Sequence, residues 1–563
     1  MMSRAADPIP AEAVLDTVES LFRRLEQLNE IGAALSQETN LDALLERILI
    51  AAKVITRADG GTLYLRTEDK QRLKFAIVRT ESLGIAMGGT TGTDVPFYPV
   101  YLYGQDGKPN HQMVAAYAAL TGRTVNIADA YTEQGFDFSG TRNFDRKTGY
   151  RSKSFLTVPM RNHESEIIGV LQLINRTAPD NSGIASFSEA DQRLAESLAS
   201  QAAIAITNRQ LIDQLERLFE SFINLINMAI DEKSPYTGGH CQRVPELTMM
   251  LAEAVNDCKS GSFAAFSMGD RDRYELKIAG MLHDCGKITT PVHVVDKATK
   301  LETIFDRIHM IDTRIEVLKR DAQILGLQEK LVLANDSTLS EVKRRERMFE
   351  IDQRIRGLQR QYEDDREFLR NANIGAESVT AEAQARVRRI GTDYHWTDPS
   401  GNTANFLSSD EIENLAIARG TLTDREREVI NHHIVATIRM LEALPWPKHL
   451  KNVPEYAGGH HERMDGKGYP RGVTRDQMSV QARVMGIADI FEALTARDRP
   501  YKKGKTLTEA LQILGRFKET GHIDPELFDV FVRQKVYLRY ARQFLDSDQI
   551  DTVDEAAIPG YAP

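Results

Sequence analysis

Apolar residues at helical intervals open the readable part of the chain. Leu21, Leu25, Leu28 and Ile31 step by four, three and three, which predicts a helix over 12–37. "NLDALLERILIAAKVI" continues the amphipathic rhythm, and Asn40 stands where an N-cap belongs. The pattern then becomes strand-like. "GGTLYLRTED", "RLKFAIVRT", "GRTVNIAD" and "KSFLTVPMRNHESEIIGVLQLINR" are separated by turn residues, and the last reads as a hairpin turning near Asn162 to Glu164. A helix starts again near Ser188. This order predicts an N-terminal helical segment over 1–34, then an α/β domain over 35–205 with an antiparallel sheet flanked by helices.

Residues 188–231 contain neither Pro nor Gly. Leu211, Leu215, Leu218, Phe222 and Leu225 step by four, three, four and three, the rhythm of a two-helix seam. Either this helix packs onto its own domain, or it is a parallel dimer helix carrying a signal between domains. Its length and position favour the dimer. From 220 to 550 the chain reads as an all-α domain. Within it, 298–375 is dense in charge with Leu and Ile at helical spacing, broken at "ANDSTLS", which predicts a protruding hairpin of two antiparallel helices. Residues 376–412 read as polar and loop-rich, so 298–415 is taken as one insertion, and 551–563 as a tail. The hairpin's charges read as a solvated face, with a contribution to dimerisation as the alternative.

Composition narrows the class. The 563 residues suffice for several domains, with 42% hydrophobic and 27% charged residues and a formal net charge of -10. An acidic surface argues against capture of nucleic-acid polymers, while a local basic patch could still hold a small anionic substrate. No apolar run reaches the roughly 20 residues of a membrane span. "MMSRAADPIPAEAV" lacks the apolar centre of a signal peptide. Cys241, Cys258 and Cys285 form no CxxC pair. The expectation is a cytoplasmic protein without membrane insertion.

Histidine and aspartate then recur in or beside apolar helical segments: His240 in "TGGHCQRV", His283 and Asp284 in "MLHDCGK", His432 and His433 in "INHHIVATIRML", His460 and His461 in "GGHHERMDGKGYP", Asp489 in "GIADIFEALTARDRPY". Imidazole with carboxylate suits iron, manganese, zinc or nickel. An uncompensated charge at His283-Asp284, inside "IAGMLHDCGKI", would be costly, so pairing or metal binding is expected there. The two oxygens of Asp284 could each reach one of two ions, which two-metal sites hold about 3.5–4 Å apart. His460 and His461, neighbours pointing about 100° apart on a helix, are expected to go one to each ion.

Two resemblances follow. Residues 35–205 resemble a GAF domain, the small-molecule sensor of signalling proteins; "FDRKTGYRSKSFLTVPM" is especially similar to the type found in cyclic-nucleotide phosphodiesterases. That type carries an Asn-Lys…Phe-x-x-x-Asp-Glu signature, filled here by Asn175, Arg176, Phe187, Asp191 and Gln192. Arg for Lys would keep an ion pair with Asp191; Gln for Glu is a departure. The resemblance implies the fold, with cyclic GMP or AMP as the leading ligand and another metabolite or a redox signal as the alternative. A domain that binds nothing and only dimerises is the rival reading.

"HDCGK" and "HHERMDGKGYP", with Ala-Asp and Arg-Pro-Tyr following in order, resemble the HD-GYP domain, a branch of the HD phosphohydrolases, over 220–297 and 416–545. The resemblance implies hydrolysis of cyclic di-GMP to pGpG, continuing to GMP in some members. It implies two divalent ions per chain, iron or manganese ahead of zinc, nickel or magnesium. Its ligands fall on His240, His283, Asp284, His433, His460, His461 and Asp489, with His433 taken over His432 by register. Tyr236 replaces the Glu with which some members hold a third metal. Asp284 is then the bridging residue. Lys287, one turn after His283, pairs with phosphate or a bridging water, or with a neighbouring acid. Gly466 and Gly468 would let backbone approach a ligand, Tyr469 would stack or hydrogen-bond, and Pro470 would stiffen the loop. Arg243, Arg499 and Lys502 complete the expected substrate contacts. The implied assembly is a homodimer whose sensor biases the catalytic domain through the helix seam. The rivals are a docking module with little turnover, meeting a partner such as a diguanylate cyclase, and a phosphohydrolase for another cyclic dinucleotide such as cyclic GMP-AMP.

Overall fold

A computed structural model describes residues 26, 29–35, 37, 38 and 40–562, except 179, 181, 234–238, 377 and 498–503. Tyr236, Arg499 and Lys502 lie outside the described residues, as does most of the helix expected over 12–37. The chain forms two compact units that meet in sequence at Leu218 and Phe219.

The first unit is built on eight antiparallel strands: β1 (Ala58–Arg66), β2 (Arg72–Thr80), β3 (Ile85–Gly88), β4 (Val100–Tyr101), β5 (Val125–Ile127), β6 (Phe155–Arg161), β7 (Ile167–Thr177) and β8 (Ile184–Ala185). Their order is β3-β2-β1-β7-β6-β5, with β4 on β2 and β8 on β7. The β6–β7 hairpin turns at Asn162, whose Oδ1 accepts from the N–H of Glu164 at 3.1 Å and of Glu166 at 2.9 Å. The helix Leu41–Thr56 starts at Asn40, which caps it by accepting from the Ala43 N–H at 3.0 Å. Its Leu44, Ile48, Leu49 and Ala52 lie with Leu198, Ala202 and Ile206 of a second helix over Leu63, Ile77, Leu171 and Leu173. The opposite face buries Tyr64, Leu73 and Val170 against Ala115, Ala116 and Ala119 of the helix Val114–Thr121. With both faces covered, the central strands are buried along most of their length.

The five signature positions tie β7 to the start of the second helix. Asn175 adopts φ 56° and accepts from the Lys153 N–H at 2.7 Å. Arg176 Nε lies 2.7 Å from Asp191 Oδ2, and Asp191 also accepts from the Ser188 N–H at 3.0 Å. Phe187 is buried beside them, and Gln192 donates to Glu196 instead. The helix so anchored, Glu189–Lys233, is 45 residues long.

The second unit is a helical bundle whose core gathers Leu247, Leu251, Leu276, Ile487, Phe491, Phe528, Phe531 and Tyr540. The expected hairpin consists of the helices Ile308–Asn335 and Glu341–Asn373. Ion pairs Asp312–Arg370, Glu316–Arg366, Lys319–Glu363 and Glu329–Arg354 run in opposite directions along the two sequences, which fixes them as antiparallel. The loop-rich expectation for 376–412 is corrected. This stretch folds into the helix Ala381–Asp393, a two-stranded ribbon β9 (His395–Thr397) and β10 (Thr403–Asn405), and the start of the helix Ser409–Leu415. Only a narrow stripe of the first helix is buried, Val387, Ile390 and Gly391, so its polar composition hid its periodicity. The insertion has its own apolar core, including Leu301, Ile311, Ile315, Leu369, Val387 and Phe406. Its root is pinned by two buried lysines. Lys300 donates to the carbonyls of Leu415 and Ile417 at 3.2 and 2.9 Å, and Lys297 to Asn414 and Glu426 at 2.8 Å.

Candidate metal centre

Five segments of the helical unit supply the centre. His240 is the first residue of the helix His240–Asn256. His283 and Asp284 end the helix Asp270–Leu282 and lead into the turn Cys285–Thr289, which carries Lys287. His433 lies within Asp424–Glu442, His460 and His461 follow Val453–Gly458, and Asp489 lies on Val480–Thr495. Close backbone approach brings them together. A Cβ at Gly286 would fall 2.0 Å from the His433 carbonyl oxygen, and the Gly286 N–H instead donates to Thr437 Oγ1 at 2.9 Å.

The seven expected ligands converge, and His432 points outward as an exposed residue. One group is His240, His283 and Asp284; the other is His433, His460 and His461. Asp284 lies between them. Its Oδ2 is 3.2 Å from His240 Nε2 and 3.3 Å from His283 Nε2, while Oδ1 is 3.3 Å from His433 Nε2 and 4.0 Å from His460 Nε2. Asp489 joins the first group, 3.2 Å from His240 Nε2 and 3.8 Å from His283 Nε2. His461 Nε2 lies 3.2 Å from His433 Nε2, while the His460 ring stands between the groups, its centroid 4.9 Å from that of His283 and 6.4 Å from that of His433.

Hydrogen bonds on the far side of each ring set its tautomer. The Nδ1 atoms of His283, His433 and His460 donate to the carbonyls of Gly280, Ile430 and Ala457 at 2.7, 2.6 and 2.6 Å. In the neutral ring each Nε2 is then a lone pair. These lone pairs face one another and the carboxylate oxygens, and the buried Asp284 Oδ1 and His460 Nε2 have no hydrogen-bond partner. Two buried acceptors left without a donor, Asp284 Oδ1 and His460 Nε2, fit a cation between the two groups.

The electrostatics agree. Burial pushes the Asp284 carboxyl up, but Lys287, His283 and His240 outweigh it and hold the group well below the usual carboxylate range. Asp489 is likewise lowered against burial, chiefly by His240. Burial, then His461 and His283, holds the His460 imidazole well below its ordinary value, and burial takes His461 down to about 4, so both stay neutral and able to ligate. Burial lowers His240, yet Glu492, Asp284 and Asp489 raise it well above its ordinary value, the mark of a site with excess negative charge.

The remaining expected residues divide. Lys287 donates to Asp284 Oδ2 at 2.5 Å, pairing with the expected bridging carboxylate itself. Arg243, expected at the substrate, is instead held by Glu492, with Nε 2.7 Å from Oε1. Gly468 does not open room for a ligand. A Cβ there would meet the Arg463 nitrogen at 2.3 Å, so the loop closes on its own backbone. Tyr469 stacks on His461 with ring centroids 4.8 Å apart, and the Tyr469–Pro470 bond is cis. Burial, with Asp489 and Asp284, raises the Tyr469 phenol, which stays protonated. Glu492 escaped the sequence reading; it stands three residues after Asp489 on one helix, a spacing that shares a face.

Fold and site define a class: a GAF-type α/β domain followed by an α-helical HD region. Residues 40–206 match the GAF domain family, and two HD domain families match residues 237–374 and 380–527. Among named relatives, a cyclic di-GMP phosphodiesterase of Pseudomonas aeruginosa is 39% identical over 114 residues, 20% of this chain and 26% of that protein. A 3'3'-cGAMP-specific phosphodiesterase of Vibrio cholerae is 44% identical over 81 residues, 14% of this chain and 19% of that protein. A dual 3',5'-cyclic-AMP and -GMP phosphodiesterase of Takifugu rubripes is 29% identical over 212 residues, 36% of this chain and 21% of that protein. The chain thus spans about a quarter or less of the length of these curated relatives. No helix among the described residues is long and apolar enough to cross a membrane.

Proposed function

We propose that the chain is a metal-dependent phosphodiesterase that opens cyclic di-GMP to pGpG, under the control of its GAF domain. The reading rests above all on Asp284, whose two oxygens face two separate groups of imidazoles. His240, His283, Asp284 and Asp489 on one side, and Asp284, His433, His460 and His461 on the other, would hold iron or manganese, which would supply positive charge opposite a phosphodiester and lower the pKa of a bound water. The protein's own groups do the rest. Asp284 holds the two halves in register. Lys287, its cation raised by Asp284 against the opposing effect of burial, keeps that carboxylate ionised and adds positive charge beside the phosphate. Tyr469, fixed by its stack on His461 and neutral, offers a ring face to a base and a hydroxyl donor to phosphate.

Cyclic GMP-AMP is the second substrate reading, favoured by the 44% identity to the Vibrio cholerae relative. The GAF domain is proposed to take a cyclic nucleotide. The test is turnover of a panel of cyclic dinucleotides by full-length protein purified without oxygen and supplied with manganese or ferrous iron. Linear dinucleotide should form fastest from cyclic di-GMP, as pGpG. Asp284→Ala should lower turnover at least about a hundredfold and reduce bound metal, since even outer residues of metal sites are worth 10–100-fold. Binding of cyclic di-GMP without metal-dependent product would favour the docking module.

A further inference from the structure

His240 reaches the centre in a different way from its neighbours. His283, His433 and His460 each hold Nδ1 on a carbonyl three residues earlier, at 2.7, 2.6 and 2.6 Å. His240 is the first residue of its helix, after the N-cap Gly239. Glu492 takes the carbonyl's place from 252 residues away, with Oε2 2.5 Å from His240 Nδ1. Its carboxylate is only 1% exposed. Its other oxygen is occupied by Arg243, at 2.7 Å from Nε and 2.6 Å from Nη2, which turns Oε2 toward the histidine. Glu492 Oε2 thus accepts at Nδ1, and the far ring nitrogen, Nε2, lies 3.2 Å from both Asp284 Oδ2 and Asp489 Oδ1.

We propose that Glu492, aimed by Arg243, is the positioning residue that holds His240 as an ion ligand and sets the affinity of the His240 side of the centre. The inference rests on the binuclear centre proposed above and makes its two halves unequal. The His240 side has two carboxylates facing it and a third behind it. The other side has three imidazoles and shares only Asp284. A carboxylate behind a ligating imidazole makes the ring a stronger donor than a carbonyl does. The pair therefore gives the His240 side the tighter hold on a hard divalent ion.

The test is manganese titration of the metal-stripped full-length chain, with thermal midpoints recorded in EDTA. The wild type is expected to take up two ions. Glu492→Ala should weaken one of the two sites at least about tenfold and leave the other unchanged. Glu492→Gln, which keeps an oxygen to accept from Nδ1–H, should weaken the same site by less. Wild-type affinity at both sites in Glu492→Ala would overturn the proposal. So would equal weakening of both sites in step with a lower midpoint in EDTA, since that is a merely structural role. Should Glu492→Ala fail to fold, Glu492→Gln decides: loss at one site supports the proposal, and no loss at either overturns it. A wild-type chain that holds a single ion would instead overturn the binuclear centre itself, and absent turnover would overturn only the enzymatic reading.

Discussion

A Cβ on Gly468 would sit 2.3 Å from the Arg463 nitrogen and 2.5 Å from the Glu462 Cα, closer than real side chains approach backbone. From the other side, the buried Glu462 accepts from the N–H of Arg471 at 2.7 Å and of Val473 at 3.2 Å. Together these contacts clamp the loop that presents Tyr469 to His461. Gly468→Ala should destabilise the helical unit by about 1–3 kcal/mol, the usual penalty of overpacking. It should raise KM for the dinucleotide while leaving bound metal unchanged. Chemical denaturation and steady-state kinetics check both, and an alanine variant with wild-type stability and KM would show that the loop yields. The residue scale is also where sequence reading divides most sharply. Adjacent His-Asp and His-His pairs in apolar segments signal chemistry locally, so the gathering of His240, His283, Asp284, His433, His460, His461 and Asp489 was legible. The role of Gly468 was not, because what it makes room for is backbone that only the folded loop brings near. The Glu492–His240 contact was hidden by 252 residues of separation.

At the scale of elements, the insertion shows how a charged segment acquires a fold of its own. Arg314 grips Glu411 with Nη1 and Nη2 at 2.9 and 2.6 Å, joining the first hairpin helix to the capping box of Ser409–Leu415. Burial raises the Glu411 carboxyl, but Arg314 and the Ser408 N–H outweigh it and hold it below its ordinary value. A carboxylate lowered in the folded state contributes stability above its unfolded value, about 4.3. That contribution is lost as the pH falls through the folded value. Glu411→Gln should therefore melt below the wild type at pH 7, and the gap should close as the pH drops below about 4. Thermal melts across that range measure it, and a gap constant with pH would exclude the ion pair as its source. The long hairpin was legible from leucine and isoleucine spacing. The helix Ala381–Asp393 and the ribbon after it were not, since a three-residue buried stripe and two three-residue strands leave too few apolar positions to show a period.

Across the whole molecule, one helix belongs to both units, and its two faces behave differently. Beyond residue 218, Ile223 and Ile230 are buried in the core of the helical unit, and Phe219 meets Trp446 edge-on at 6.1 Å. Leu211, Leu215, Leu218, Phe222 and Leu225 form a separate stripe, 44%, 64%, 52%, 56% and 60% exposed. Among the described residues the heptad stripe is thus left exposed, while Ile223 and Ile230 face the core. Large apolar side chains repeated at 3.5-residue intervals on an exposed helix match the seam of a parallel two-stranded coil, in which each residue would face its own copy. We expect the full-length chain to have the mass of a dimer in light scattering. Leu215→Glu with Phe222→Glu, which places like charges across that seam, should give a monomer. None of the stripe's residues is among the expected metal ligands, so the monomer should still bind manganese as the wild type does. Regulation should suffer instead: if the GAF domain acts by shifting the seam between two arrangements, a ligand that changes the dimer's turnover should leave the monomer's unchanged. A dimer that survives both substitutions would exclude the stripe as the interface, and a monomer that still responds to the ligand would show that the signal passes within one chain.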